Sequence, residues 1–522
     1  MLSVLIGLPL VGTLVLCLWP KGEQPFRQIA LVVSVAALLW SFFLCTQFEL
    51  VPGLQFSENI AWISSIGLGY QLGLDGLSLP LVVLNSFLTV IAIVSSDRQI
   101  ARPRLYYVMI LLLNLGVVGA FLAQDVLLFF LFYELEILPL YFLIAIWGGA
   151  NRGYAATKFL IYTALSGVFV LISFLGLAWL TGADSFNYSL LRSLSPSVGL
   201  GAQILLLVSV LIGFAIKIPF FPLHTWLPDA HVEASTPISV LLAGVLLKLG
   251  TYGLLRFGLG LFFDAWLTIA PWLAAWAAVS ALYGASCAIA QTDMKKVVAY
   301  SSIAHMGFIL LGTAATTPLS VVAAVFQMVS HGLISALLFL LVGVVYQKTG
   351  TRDVNKLQGL LNPERGLPVV GSLMILGVMA SSGIPGMVGF IAEFLVFRGS
   401  FPIFPVETLL CMVGTGLTAV YFLLMVNRVF FGRLTPLLSN LERVTWGERM
   451  PAIALVVLVL AFGLRPDWML RWTEPEVGYL LTGQIESIAP ASSSEETAAR
   501  DLIALPARRF ALDVAGGAYP LQ

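Results

Sequence analysis

The sequence predicts an all-α polytopic membrane protein with about 14 transmembrane helices, and three observations carry that prediction. Hydrophobic residues make up 59% of the chain and charged residues only 10%; mean hydropathy is +0.96, whereas a soluble domain carries roughly a quarter charged residues. Apolar runs long enough to cross a hydrocarbon core of roughly 30 Å, which takes about 20 residues, recur almost without pause. Lysine and arginine collect in alternate connections between those runs.

The expected spans are 2–19, 29–48, 78–96, 105–123, 125–146, 158–181, 202–222, 234–256, 267–291, 296–315, 320–346, 367–397, 406–430 and 451–466. The opening stretch Met-Leu-Ser-Val-Leu-Ile-Gly lacks the positive region of a cleaved signal, so 2–19 reads as a retained first span. Lys21 and Arg27 follow the first span, Arg98, Arg102 and Arg104 the third, and Arg152 and Lys158 the fifth. Lys295 and Lys296 follow the ninth, and Lys348, Arg352, Lys356 and Arg365 the eleventh. Connections after even-numbered spans, including the long 49–77 segment, hold almost none. The odd loops are therefore expected on the cytoplasmic or equivalent face, with the N-terminus opposite.

Composition also excludes several functions. Zero formal net charge and a pI near 6.9 leave no basic footprint for nucleic acid. Cys17, Cys45, Cys287 and Cys411 are far apart in apolar stretches, with no CxxC pattern. Neither GxGxxG nor GxxxxGK occurs, so no nucleotide, cofactor or metal is expected in this chain.

Ionisable groups inside the hydrocarbon cost roughly 2.5–3.5 kcal/mol each on insertion scales and mark ion pathways. They are few here. Glu134 and Glu136 fall in the fifth span, Lys217 in the seventh, Lys248 in the eighth, His305 in the tenth, His331 in the eleventh and Glu393 in the twelfth. His224, Asp229 and His231 follow Lys217 in a short connection and are read as supporting groups. A single acid–base pair would serve as a structural lock between helices, and a lone histidine as a hydrogen-bonded core residue. Three acid–base residue types on six central helices instead suit a proton relay. Glu134 and Glu136 are two positions apart, about 200° around a helix, so they cannot share one route; spacing does not decide which faces inward.

Prolines divide the chain further. Pro219 and Pro222 interrupt the seventh span just beyond Lys217, and Gly383, Pro385, Gly386 and Gly389 interrupt the twelfth before Glu393. Broken helices at membrane depth line buried or wet cavities in transporters. Two of them five spans apart predict a repeat of spans 4–8 in 9–13, and the odd repeat length makes the second copy inverted. The expected organisation is N-terminal helices in 1–104, a first five-helix repeat in 105–256, a second in 267–430, and the last helix with a polar tail in 431–522. The Ser-, Glu- and Ala-rich stretch 484–503 reads as poorly ordered or surface-lying.

The stretches ELEILPLYFLIAIWGG, KIPFFPLHTWLPDAHVEASTPISVLLAGVLLKLGTYGLLRF, DMKKVVAYSSIAHMGF and MVSHGL together resemble the antiporter-like subunit 4 of respiratory complex I, over roughly residues 75–435. The resemblance implies fourteen helices with inverted five-helix repeats and a proton-translocating role. It also implies proton-transfer roles for Lys217, Lys248, His305, His331 and Glu393, and for the acid five residues before Pro139, which is Glu134. Glu393, where sister subunits and sodium/proton antiporters generally carry lysine, points to the subunit 4 branch. The ELE doublet and NRGYAATKFLIYTALSG are similar to the cyanobacterial and chloroplast form. That form implies a thylakoid membrane, ferredoxin or NAD(P)H as donor, plastoquinone as acceptor, and iron–sulfur clusters in partner subunits. The short start MLSVLIGLPL and the variant FYELEILPLY resemble the form used in CO2 uptake, which implies CO2-hydration proteins among the partners.

These residues lead to a route from the odd-loop side to Lys217, paired with Glu134, then along Lys248 with His305 or His331, leaving near Glu393. A stand-alone sodium/proton antiporter and a non-pumping structural subunit are the rival readings. A quinone-binding enzyme has no redox motif in its favour.

Overall fold

The computed structural model describes residues 1–20, 25–435 and 441–488. Lys21, and the part of the 484–503 stretch beyond 488, lie outside them. Among the described residues, eleven helices are long and apolar enough to cross a membrane, and three shorter apolar helices complete the expected fourteen.

The N-terminal part holds α1 (Ser3–Leu18), α2 (Phe26–Gln47) and α3 (Leu79–Ser95). Between α2 and α3 the 49–77 connection folds into an antiparallel hairpin, β1 (Gln55–Ile63) and β2 (Leu68–Leu74), with Gln55 opposite Leu74 and Ala61 opposite Gly69. The first repeat opens with α4 (Pro103–Leu122). Its fifth span is two helices, α5 (Val126–Leu135) and α6 (Ile137–Trp147), followed by α7 (Arg152–Thr181). After the short α8 (Tyr188–Leu194), the seventh span is broken into α9 (Leu200–Lys217) and α10 (Trp226–Glu233). The eighth runs from α11 (Thr236–Leu241) through α12 (Leu247–Gly253), with π-helical turns at Leu242–Leu246 and Leu254–Leu259.

The second repeat comprises α13 (Phe263–Ile289), α14 (Met294–Ala315), α15 (Pro318–Thr349), the broken pair α16 (Pro368–Ser381) and α17 (Val388–Ser400), and α18 (Pro405–Phe430). The fourteenth span is α19 (Trp446–Leu464). Beyond it α20 (Asp467–Ile488) forms a further helix where the sequence suggested only a polar tail.

Hydrogen bonds between connections sort them into the two groups the charge pattern predicts. After even-numbered spans, Tyr188 N donates to Gln124 O (2.9 Å), Phe186 N to Gly67 O (3.2 Å) and Gly53 N to Glu476 Oε2 (2.8 Å). After odd-numbered spans, Gly149 N donates to Glu233 O (2.9 Å), Met294 N to Arg352 O (3.0 Å) and Gly359 N to Phe431 O (3.1 Å). Asp125 ties the hairpin to the bundle. As the N-cap of α5 it accepts from Leu127 N (2.9 Å) and Leu128 N (3.0 Å), and its second oxygen accepts from Gly69 N of β2 (3.0 Å).

Helix association in lipid rests on close packing, because the tails are as apolar as leucine. Glycines allow that approach between α13 and α14. A Cβ on Gly284 would lie 2.7 Å from Ala304 N, and one on Gly307 2.7 Å from Ala277 O. The eighth span, α14 and α15 are buried along almost their whole length, whereas α2, α18 and α19 are largely uncovered. Lys248, His305 and His331 therefore sit on the three innermost spans.

Replacing Gly307 with Leu is expected to cost about 1–3 kcal/mol by overpacking. It should lower the thermal midpoint of the solubilised protein, while Gly416→Ala, where a Cβ meets nothing within 4 Å, should not. Equal midpoints for Gly307→Leu and the parent would show that the α13–α14 approach is not tight.

Candidate functional site

Three acid–base pairs are held by the breaks and close approaches of the central helices. The first forms at the end of α9. Pro219 and Pro222 end that half-helix, so Lys217 occupies its last position, where free carbonyls and the negative end of the dipole favour a cation. The ammonium forms an ion pair with Glu136, and both side chains are fully buried. Lys217 Nζ also donates to Tyr133 O (3.2 Å) and stands 3.2 Å from the centroid of the Tyr133 ring. The Tyr133 hydroxyl is 2.8 Å from Ser166 Oγ, which donates to Gly213 O (2.7 Å), so the ring under Lys217 is anchored to α7 and α9.

This corrects the expected pairing of Lys217 with Glu134. Pro139 has no N–H to offer the Leu135 carbonyl, and the fifth span breaks at Glu136 between α5 and α6. The break turns Glu136 inward to Lys217. Glu134 points instead to α7, where Gly167 leaves room that a Cβ would take from its carboxylate; one of its oxygens is buried without a hydrogen-bond partner among the described residues. The two acids do face apart, as their spacing requires.

The second pair joins the eighth span to α15. Gly244 and Gly332 bring the helices together, a Cβ on Gly332 falling 2.9 Å from Gly244 O. The π-helical turn Leu242–Leu246 leaves the Ala243 carbonyl to accept from Lys248 Nζ, which lies 2.6 Å from His331 Nδ1. A hydrogen bond between an amine and an imidazole nitrogen requires a lone pair on one of them. Lys248 and His331 thus hold at most one excess proton between them.

The third pair joins α14 to the broken twelfth span. His305 Nδ1 is 2.7 Å from Ser301 O, and Nε2 is 3.3 Å from both Ser381 O and Glu393 Oε1. The two carbonyls can only accept, so the doubly protonated ring satisfies the arrangement, with Glu393 as its counter-ion. The Ser381 carbonyl is free because α16 ends there. Thr415 Oγ1 donates to Glu393 Oε2 (2.8 Å).

The pairs are linked. The rings of His305 and His331 lie 5.7 Å apart between centroids. Around them a cavity of about 10 Å³ is lined by Gln327, Ser330, Glu393 and both histidines. Gln327 Oε1, Ser330 Oγ and His331 Nε2 have no hydrogen-bond partner among the described residues. On the other side Gly250, two residues from Lys248, packs on Lys217, its Cβ position 3.5 Å from Lys217 Cβ. Under the inverted repeat the fifth span corresponds to the tenth and the seventh to the twelfth. Glu136 with Lys217 and His305 with Glu393 are thus equivalent pairs of exchanged sign.

The supporting residues lie towards the odd-loop face. Asp229 pairs with Lys158 (2.8 Å). His224 packs against Tyr283 with centroids 4.9 Å apart. His231 stacks on Phe339 at 4.4 Å with neither ring nitrogen hydrogen-bonded among the described residues, and the charges of Lys295 and Lys248 act on it. Sequence reasoning missed Tyr133, Gln327 and Ser330, which carry no signal in an apolar run. It also left out Asp75 and Arg256, although GLDGLS and GLLRF both place a charge at a span end.

The transmembrane profile of the NADH:quinone oxidoreductase/Mrp antiporter family matches residues 123–418. A NAD(P)H-quinone oxidoreductase chain 4 of Synechococcus sp. (strain JA-3-3Ab) is 43% identical over 477 residues, covering 89% of this chain and 90% of the relative. A chain 4-2 of Synechocystis sp. is 42% identical over 452 residues, covering 85% and 80%. A chain of respiratory complex I from Thermus thermophilus superposes with a TM-score of 0.83 at 26% identity, covering 92% of this chain and all of that one. The paired charges thus stand on an antiporter-like scaffold with long alignments to quinone oxidoreductase subunits, and the chain belongs to the chain 4 family of NAD(P)H-quinone oxidoreductases.

Proposed function

We propose that this chain carries protons across the membrane as an antiporter-like membrane-arm subunit of a photosynthetic complex I-like plastoquinone reductase. The observation that carries the reading is the row of three buried pairs, Glu136–Lys217, Lys248–His331 and His305–Glu393, crossing the centre of both repeats. A structural lock needs one such pair.

A proton arrives from the odd-loop face past His224, Asp229 and His231 and is held as the Lys217 ammonium by Glu136. Drawing Glu136 away leaves an ammonium unpaired in apolar surroundings, and it gives up its proton towards Lys248. Lys248 and His331 pass it through the small cavity, which has room for about one water, to His305 and Glu393. From there it leaves towards the even-loop face. Moving one proton against 100 mV takes about 2.3 kcal/mol, within the reach of one ion pair made or broken away from water. The driving motion comes from a neighbouring subunit, and electrons pass only through partners.

The cyanobacterial relatives and the resemblance of NRGYAATKFLIYTALSG support a thylakoid location with ferredoxin or NAD(P)H as donor. Iron–sulfur clusters and plastoquinone then belong to partner subunits. The FYELEILPLY variant supports the CO2-uptake form, with CO2-hydration proteins as partners. Gentle solubilisation of the native membrane should recover the chain with other antiporter-like subunits and iron–sulfur proteins, and carbonic-anhydrase-like proteins in the CO2-uptake form. Recovery with small cation/proton antiporter subunits alone would favour an antiporter.

Lys217→Ala is expected to abolish pumping in vesicles while the complex still assembles, because the remaining Glu136 can be neutralised by protonation. Retained pumping would sink the relay. Glu136→Gln should lower pumping by about 10²-fold or more, the scale of losing a positioned proton-transfer group, and Glu134→Gln should act far less. The reverse order would return the pairing to Glu134.

A further inference from the structure

A second cluster of buried charge lies near the even-loop face, outside the row of pairs. Arg256, in the second π-helical turn of the eighth span, forms an ion pair with Asp75. Asp75 is completely enclosed and already saturated: its Oδ1 accepts from Leu77 N (3.0 Å), Ser78 N (3.0 Å) and Ser78 Oγ (3.1 Å). The third member, Glu476, comes from α20. Its Oε2 accepts from Gly53 N (2.8 Å), but its Oε1 is 3.9 Å from Arg256 Nη1. One guanidinium thus faces two carboxylates, and only one of them is well satisfied.

The rest of the shell brings a second cation, Arg192, which is engaged with other partners. Arg192 of α8 donates to Leu480 O (3.0 Å) and lies over the Tyr479 ring at 5.3 Å. Tyr252 accepts from Arg256 Nε (3.3 Å), and Tyr188 stands 5.3 Å from the guanidinium. A cavity of about 350 Å³ opens beside the cluster, lined by Glu476, Arg256, Arg192, Gln124 and Tyr479 but not by Asp75. Glu476 is therefore the carboxyl that faces the cavity. α20 is held in place by Thr473 Oγ1 donating to Gly76 O (3.1 Å), and the Trp472 carbonyl fills the space a side chain at Gly76 would need.

We propose that Asp75, Arg256 and Glu476 form a proton-binding site on the even-loop face, in which Glu476 takes up and releases the proton through the adjoining cavity. With Glu476 ionised, Arg256 is shared between two carboxylates; with Glu476 neutral, it belongs to Asp75 alone. Burial and the Asp75 charge push the Glu476 carboxyl up to about 7, against the opposing pull of Arg256, the Gly53 N–H and Arg192. Lys248, Tyr252 and Arg256 follow one another at four-residue intervals along the eighth span. The state of Glu476 thus acts on the helix that carries the central lysine, a consequence that rests on the relay reading; the proton-binding site itself does not.

Infrared difference spectra of the assembled complex, taken across neutral pH, test the site. The parent should show a protonated-carboxyl band that disappears with a midpoint near 7. Glu476→Gln should lose that band, Glu476→Asp should keep it with a shifted midpoint, and Lys217→Ala should leave it unchanged. A Glu476→Gln spectrum identical to the parent would overturn the proposal. Pumping by Lys217→Ala would overturn the relay and leave this site standing, so the two failures are distinguishable.

Discussion

A charge in hydrocarbon has no water to turn to, and this single constraint orders the interior of the protein. Each ionisable group in the row can persist at depth only if a partner is delivered to it from another helix. Lys217 receives Glu136 from the fifth span, Lys248 receives His331 from α15, and His305 receives Glu393 from the twelfth. Helix order and close approach are therefore means of placing these partners. Gly244 and Gly332 let the eighth span and α15 approach closely enough for Lys248 to meet His331, and Gly167 leaves room for the Glu134 carboxylate.

Interruptions of regular helix supply what side chains alone cannot. The break after Lys217 puts a cation at the negative end of a half-helix, and the break after Ser381 offers a free carbonyl to His305. The π-helical turn before Lys248 does the same with Ala243. In soluble proteins water would satisfy such groups; in a bilayer the unpaired backbone and the buried cation satisfy each other. The repeat brings this device to both halves with exchanged sign, base on the broken helix in one and acid in the other. Protons can then be held by a lysine at one end of the row and by a histidine–carboxylate pair at the other.

Outside the row, the even-loop surface is knit together by residues far apart in the chain. The hairpin is pinned by Asp125, and α20 is pinned over Asp75 and Gly76. The last described helix thereby adds an acid to a cluster that the eighth span begins, and is bound to the first repeat.

The number of spans, their alternation between two faces and the positions of the buried charges were legible in the sequence. Each depends on a local, one-dimensional quantity: the cost of a residue at a given depth and the length of an apolar run. The breaks after Lys217 and before Glu393 were legible for the same reason, since proline and glycine act on their own backbone. The partner of Lys217 was not. Resemblance indicated Glu134, and only the local unwinding at Glu136 decides which of two acids turns inward. The hairpin in 49–77, the helix at 467–488 and the meeting of Asp75, Arg256 and Glu476 were likewise decided by tertiary structure, because their stabilising contacts lie between residues that no sequence window contains.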